Sequence, residues 1–542
     1  MAELRTPLFE PQPTERWVRD LVRRSQRRLE ALPEPALVDL LEDALYNERK
    51  RLERDEAERG EQEALDRLSR AVVRGGHRER IDAGLTLVAR WGEEIHGTFN
   101  PQVYKFATRV LPRALTGLLS ERPRSLSGLR HWDLSIGRRL IAKGEVEFLR
   151  ELTGEATLVL APTHVSNMDS PLLGMALYQA ELPPFVYGAG LNLFENPILG
   201  WWLRRLGAYT VDRKKKSNLY KDTLKDYSIL CIRGGLHSLF FPGGTRCRSG
   251  ELETHLKKGL LGTAVQAWQE NLDTQRRGRK PAPGASSMAG KSARGPEVYV
   301  VPCTLSYQLV LEAPTLINDH LAEAGGKRYI IDDDEFTKPR VVANFMSRVL
   351  DLDAGIVCHF GAPMDCLGNP ISRDRAERVE QALRRRRYVC DADGEVEWDE
   401  QRDHRYTDRL AGALVEAYHR DTTVLTTHLV ARVAWRMLGE QRQTHDMFRL
   451  VRVDAAGRHL DRSAFLRRLE EATRRVREGA ERGLWHHDLP GNAADILQVA
   501  LDRFGRFHKT KALADHGEDL IVEDPRLCLY YQNRLSTIPL EV

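Results

Sequence analysis

Over its first 75 residues the chain places apolar side chains at helical spacing between charged ones. In ERWVRDLVRRSQRRLEAL, Trp17, Leu21, Val22 and Leu29 fall on one side of a helix. The stretch ALVDLLEDALYNERKRLERDEAERGEQEALDRL continues the pattern and ends heavily charged, as a solvated face does. PQVYKFATRVLPRALTGLLS predicts a further helix, so residues 1–130 read as a helical region that docks onto another part of the chain. From about residue 140 the period changes. Short runs of Val, Leu, Ile, Phe and Tyr predict strands at 157–161, 185–188, 208–211, 236–241, 298–306 and 356–360. Helical patterns fill 171–180, 195–206, 219–233 and 256–270 between them. This alternation predicts an α/β domain over 131–372, a mixed sheet flanked by helices. QRRGRKPAPGASSMAGKSARG, 275–295, reads as a mobile surface insertion because it is rich in Gly, Pro, Ser and basic residues. Beyond GAPMDCLGNPIS the pattern is helical from 373 to 542, with short loops near 390–400 and 452–462, and no repeat recurs at a fixed period.

Composition narrows the possibilities. At 542 residues the chain exceeds one ordinary core, so two or three domains are expected. Its 42% hydrophobic and 30% charged residues suit a globular protein rather than an integral membrane one. No apolar run reaches the roughly 18–20 residues that span a bilayer, and MAELRTPLFEPQPTERWVRD lacks a signal-peptide layout. Membrane contact is therefore expected to be peripheral. A net charge of +4 sets up no global field for nucleic acid. Seven scattered cysteines without a CxxC pair suit a reducing cytoplasm and argue against a zinc site or a disulfide framework.

Three stretches carry candidate chemistry. In LVLAPTHVSNMDSPLLG, His164 follows an apolar strand and Asp169 and Ser170 precede Pro171, the layout of a helix cap with proline in the first turn. A second histidine among the 17, His77, also has an aspartate five residues on, in a charged stretch that reads as exposed helix. A five-residue offset turns about 140° around a helix axis, so the turn VSNM must fold Asp169 back beneath the imidazole. If it does, the carboxylate fixes one ring nitrogen and leaves the other to take a proton. The competing reading is a capping aspartate beside a bystander histidine.

In SLFFPGGTRCRSG, Arg246 and Arg248 alternate with Cys247, which points both guanidiniums to one side of an extended segment. Gly243, Gly244 and the Thr245 amide offer a concave donor surface, and paired arginines grip phosphate oxygens. A solvated basic turn is the alternative. In YGAGLNLFENPILGWWLRRLGAYTVDRKKK, Phe194, Trp201 and Trp202 sit among Arg204, Arg205, Arg213 and three lysines. An apolar ridge beside cations suits an acyl chain with an anionic head or a membrane interface, and core packing with solvated lysines fits equally. VYVVPCTLSYQLVLE reads only as a buried strand.

Taken in order, these stretches resemble the four blocks of the glycerol-3-phosphate acyltransferase family. The H-x-S-x-x-D block is His164, Ser166 and Asp169. The second block runs through Gly190, Asn192, Leu193, Pro197, Arg205, Leu206, Gly207, Ala208 and Arg213. The third is Phe241 to Gly250, and the fourth is the strand with Val301 and Pro302. IVCHFGAPMD is similar to the strand that closes the acyltransferase domain, and EDPRLCLYYQNRLST resembles the Y-Y-x-N-x-L segment of the long, first-step enzymes. The resemblance implies a glycerol-phosphate-acyltransferase-type α/β fold and acyl transfer from acyl-CoA or acyl-acyl carrier protein (acyl-ACP) to the sn-1 hydroxyl of glycerol 3-phosphate. The product would be lysophosphatidate, for phospholipid synthesis.

In that scheme His164 is the base and Asp169 steers it. Arg213, Arg246, Arg248, Gly244 and Thr245 bind phosphate, with Ser166, Arg205 and Lys257 as weaker contacts. Phe194, Trp201 and Trp202 meet the acyl chain or membrane. No metal and no bound cofactor are implied, and the place of work is the cytoplasmic face of the inner membrane, peripherally bound. One departure stands out. Gly243 occupies the position of the family's glutamate, a residue associated with the acceptor site, and Glu251 or Glu253 would have to substitute. That change keeps open lysophosphatidate or dihydroxyacetone phosphate as acceptor, and a non-catalytic relative that binds lipid or acyl carrier protein.

Overall fold

The computed structural model describes residues 13–53, 59–109, 140–194, 197–278, 295–326, 355–508 and 510–540. The N-terminal region is helical as expected: α1 (Thr14–Glu30), α2 (Glu34–Leu52), α3 (Arg59–Arg74), α4 (His77–Ile95) and α5 (Pro101–Arg109). Trp17, Leu21 and Leu29 form the buried stripe of α1, with Ser25 where the pattern had placed the partly buried Val22. The rest of the helix expected up to 120, and the region's end at 130, lie outside the described residues.

The α/β region follows the predicted alternation. Its elements are β1 (Leu140–Gly144), α6 (Val146–Leu152), β2 (Thr157–Pro162), α7 (Asp169–Gln179), β3 (Val186–Gly190), α8 (Pro197–Arg205) and β4 (Ala208–Val211). They continue as α9 (Asn218–Arg233), β5 (Ser238–Leu239), α10 (Lys258–Arg276), β6 (Val298–Tyr307), α11 (Ala313–Ala324), β7 (Ile356–Phe360) and β8 (Met364–Asp365). Strand order is β1-β7-β6-β2-β5-β3-β4, with β8 beside β6. The strands from β6 to β4 pair in parallel, whereas β7 runs antiparallel to β6 and parallel to β1, which makes the sheet mixed. β2 and β6 are buried along their whole length, so Leu158–Pro162 and Val298–Cys303 are apolar on both faces rather than alternating. The expected strand 236–241 pairs formally only at Ser238–Leu239. Of the insertion expected at 275–295, residues 279–294 lie outside the described residues.

After 372 helices dominate: α12 (Arg375–Arg386), α13 (Glu400–Arg420), α14 (Thr426–Gln441), α15 (Met447–Leu450), α16 (Arg462–Glu481), α17 (Ala493–Phe507) and α18 (Pro525–Asn533). The all-helical expectation needs one correction. β9 (Thr423–Leu425) pairs in parallel with β11 (His486–Asp488), and β10 (His459–Asp461), β13 (Asp519–Ile521) and β12 (Ala514–His516) form a second small sheet. Three-residue strands are too short for an alternating pattern to declare them.

Packing joins the three regions. Leu158, Leu160, Val301 and Leu305 of the sheet share one core with Leu429, Val433, Phe465 and Tyr531 from beyond residue 372. The N-terminal helices bury Trp17, Leu41 and Trp91 with Tyr220, Tyr227 and Leu230 of α9. Charge reinforces that seam, because Asp226 of α9 accepts from Arg24 and Arg28 at 2.6 Å each and from Ser25 at 3.2 Å. A buried carboxylate supplied with that many donors pins the docking geometry. Among the described residues no helix is long and apolar enough to cross a membrane.

Candidate active site

His164 lies two residues past the end of β2, where the chain leaves the middle of the sheet. Thr163 holds that exit to β6, its amide donating to the Cys303 carbonyl at 2.9 Å and its hydroxyl accepting from the Leu305 amide at 3.0 Å. The turn after it folds back. Asp169 is the first residue of α7 and does not cap the helix amides. Its Oδ2 instead accepts from His164 Nδ1 at 2.7 Å and from the Val165 and Ser166 amides at 2.6 and 3.0 Å. Its Oδ1 accepts from the Tyr307 hydroxyl of β6. Asp169 is fully buried, and these donors replace the water it has lost. The His164 ring stacks on Phe241 with centroids 4.2 Å apart, and 16% of the side chain is exposed. Nδ1 is thus committed to the carboxylate and Nε2 is the nitrogen left for proton transfer. His77, by contrast, pairs with Glu34 of α2 and not with Asp82.

The glycine–arginine loop lies directly against this pair. The Cys247 amide donates to the His164 carbonyl at 2.8 Å. Gly244 has φ +77°, and its amide closes a turn onto the Phe241 carbonyl at 3.0 Å. That amide is therefore spent within the loop, a correction to the donor surface expected at Gly243, Gly244 and Thr245. Thr245 itself is exposed. Two cations converge on Gly244. Arg213 donates to its carbonyl at 3.3 Å, and Lys257 lies so close that a β-carbon on Gly244 would stand 2.7 Å from Nζ.

The two arginines of the loop part company. Arg246 pairs with Glu312 at 3.6 Å, and Glu312 in turn accepts from Ser166 Oγ at 3.0 Å and from the Asn167 amide at 2.9 Å. Arg248 pairs with Glu323 at 3.0 Å. Glu312 and Glu323 bracket α11, about 16 Å apart at 1.5 Å per helical residue. The expectation that both guanidiniums face one side is therefore corrected, because each follows its own carboxylate. Ser166 is buried and occupied by Glu312. Arg205 is held on α8, its guanidinium 4.1 Å from the Trp201 ring and donating to the Trp201 carbonyl.

Of Phe194, Trp201 and Trp202, the two tryptophan rings meet edge-on with centroids 5.2 Å apart. Trp202 stacks on Phe106 of α5 at 5.9 Å, Arg204 covers Phe194 at 4.8 Å, and Trp201 and Phe106 are 45% and 49% exposed.

Glu253, Tyr307 and Glu312 complete the surroundings. Glu253 Oε1 accepts from the His164 amide at 2.6 Å, and burial pushes its carboxyl up from the usual range. Burial does the same to Glu312. Asn167 Nδ2 and Glu253 Oε2 are buried without a hydrogen-bond partner among the described residues. Tyr307 and Glu312 were hidden in a segment read only as a buried strand. The signal available was a hydroxyl and a carboxylate at the end of an otherwise apolar run. The tail motif also reaches the loop, because Asn533 of α18 donates to the Ser249 carbonyl at 2.8 Å. Gly250 has φ +85°, and a β-carbon there would stand 2.1 Å from the Tyr530 carbonyl oxygen.

The Acyltransferase family model matches residues 143–306, the segment that holds the histidine–aspartate couple and the basic glycine loop. The chain is similar to glycerol-3-phosphate acyltransferases. It is 36% identical over 126 residues to the one from Xylella fastidiosa (strain M23), covering 23% of this chain and 14% of that protein. The enzyme from Xanthomonas axonopodis pv. citri is 35% identical over 112 residues, covering 20% and 12%. The match to Mycobacterium bovis plsB1, whose acyltransferase name is provisional, is 26% over 248 residues, covering 44% and 36%. The matched segment thus spans only a minor part of each relative.

Proposed function

We propose that this protein moves a fatty acyl group from a thioester to the sn-1 hydroxyl of glycerol 3-phosphate, giving lysophosphatidate. The observation that carries the reading is the 2.7 Å contact of His164 Nδ1 with a fully buried Asp169. His164 Nε2 takes the acceptor's hydroxyl proton as that oxygen attacks the thioester carbonyl. Collapse of the tetrahedral intermediate breaks the carbon–sulfur bond, and the leaving thiolate takes the proton back from Nε2. Asp169 holds the tautomer and stabilises the imidazolium between the two transfers, with no protein nucleophile required. Proton transfer of this kind supplies about 10²–10⁴ in rate, and positioning two bound reactants supplies much of the remainder.

Arg213, Lys257 and Arg246 border the loop at His164 and are assigned the acceptor phosphate. Glu253 supports that acceptor assignment, because it brings a carboxylate to the place that Gly243 leaves without one. The thioester is already activated, so the mechanism calls on no cofactor. Acyl-CoA and acyl-ACP share the reacting bond and are separate arms of the test. The half-exposed Trp201 and Phe106 beside Arg204 and Arg205 support peripheral docking on the cytoplasmic face of the inner membrane, where a lipid product leaves.

The test incubates purified protein with labelled glycerol 3-phosphate, dihydroxyacetone phosphate or lysophosphatidate and each thioester. Labelled lysophosphatidate is expected from wild type and none from a folded His164→Ala variant. Product formation by that variant would remove the base assignment, preference for another acceptor would move the substrate, and no product from any pair would leave a binding protein.

A further inference from the structure

A second set of chemistry-bearing side chains lies where the main sheet meets the C-terminal region, and the acyl-transfer reading makes no use of it. His359 is the fourth residue of β7, Asp421 follows α13, and His486 opens β11. Among the described residues these three bring one imidazole nitrogen or carboxylate oxygen each within 4.8 Å of the others. The convergence follows from the strand pairings. His359 lies opposite Thr304 of β6, and the Thr304 hydroxyl donates to the Asp421 carbonyl at 2.7 Å. His486 donates its amide to the Thr422 carbonyl at 2.9 Å, one residue past Asp421.

We propose that His359, Asp421 and His486 bind a divalent first-row transition metal ion, which clasps the main sheet to the small β9–β11 sheet.

The donor chemistry suits such an ion. Two imidazoles and one carboxylate are a common set for zinc and its neighbours, with a fourth position left for water. His359 and Asp421 are 7% and 4% exposed, and His359 Nδ1 is buried with no hydrogen-bond partner among the described residues. Neither imidazole hydrogen-bonds to Asp421, whose carboxylate is met by Arg420 at 2.8 and 3.2 Å. An ordinary structural triad would have used those imidazole N–H groups on the carboxylate.

The space among them is kept by two glycines. A β-carbon on Gly361 would stand 2.1 Å from Asp421 Oδ2, and one on Gly144 would stand 2.9 Å from His359 Nε2. The imidazole rings stack at 4.2 Å, so binding requires them to rotate and the three ligand atoms to close toward the roughly 3.4 Å spacing of zinc ligands. The flanking cations are displaceable. Arg420 is half exposed, and Lys143, across from His359 on β1, lies 3.9 Å from Asp488. The absence of CxxC pairs bears on thiolate sites and leaves this donor set untouched.

The experiment strips the full-length chain with a chelator and titrates it with Co²⁺, then displaces Co²⁺ with Zn²⁺. One Co²⁺ per chain with visible d–d absorption is expected, together with a rise in Tm on adding Zn²⁺. His486→Gln and Asp421→Asn, checked for fold by circular dichroism, should each weaken binding about 100-fold or more and abolish the Tm shift. Gly361→Ala, which closes the space without removing a ligand, should weaken binding as well. If wild type takes up no Co²⁺, or the folded variants bind it as tightly as wild type does, surface histidines account for any uptake and the site is rejected. His486 is only partly buried, so its variant keeps the test open should the others fail to fold.

Discussion

Glu253 fills the space beside the α-carbon of Gly243. A β-carbon at 243 would stand 3.1 Å from Glu253 Cγ and 3.3 Å from Oε1. That carboxylate, ten residues further along the chain, also accepts from the His164 amide. Of the two candidates left open by the sequence, Glu253 lies beside Gly243, while Glu251 accepts from Ser249.

Exchange of the two positions should therefore be non-additive. Glu253→Ala is expected to lower kcat/KM about 10²-fold through loss of positioning. Gly243→Glu alone should be as harmful, because it sets a second carboxylate against a buried one. The double variant should recover to within about tenfold of wild type. Purely additive losses in this double-mutant cycle would show that the two side chains do not share one role.

Tyr307 is the donor to Asp169 that the apolar texture of its strand concealed. Replacement by Phe keeps the ring and removes one hydrogen bond to a buried charge, worth about 1.5–3 kcal/mol. A kcat roughly 10–100-fold lower, with acceptor KM unchanged, is expected. A KM effect without loss of kcat would place Tyr307 in substrate binding instead.

Arg246 and Arg248 look equivalent in the sequence and differ in the fold. Arg246 sits with Glu312 next to Ser166 and Asn167, whereas Arg248 extends to Glu323 at the exposed end of α11. Arg246→Ala should raise the glycerol 3-phosphate KM about 10–100-fold, and Arg248→Ala by less than about threefold. Matching effects would refute the separation.

Stability should fall on mild acidification. Burial holds His428 at about 3 and His508 at about 4, below the ordinary 6.5. Below 6.5 the unfolded chain gains protons that the folded chain refuses, so stability is lost progressively as pH drops toward those values. His428 donates from Nε2 to the Tyr307 carbonyl at 3.0 Å, and Asn at 428 offers a donor without the titration. Tm measured between pH 7.5 and 5 should decline less steeply in His428→Asn than in wild type. Parallel slopes would assign the acid sensitivity to other groups.

Much of the scaffold was readable because its signals are local. Apolar runs marked β2 and the first part of β6, and a 3.6-residue stripe marked α1. β1, at five residues with a lysine among them, and the three-residue strands near the C-terminus gave no such signal. The His164–Asp169 couple was visible as a spacing, but its geometry depended on whether the turn folds back. Tyr307 and Glu312 are 138 and 146 positions from the side chains they serve, Asp169 and Ser166. No periodicity encodes such a meeting, which is fixed by sheet order alone. The same holds for His359, Asp421 and His486.

The bond between Asn533 and Ser249 spans 284 positions. A ribosome making this protein releases the arginine loop long before the helix that seats it. Until α18 is synthesised and docks, the nascent chain carries His164 and Asp169 beside a loop that lacks the Asn533 contact to Ser249. Seating of the arginine loop is thus deferred until α18 has emerged and folded against it.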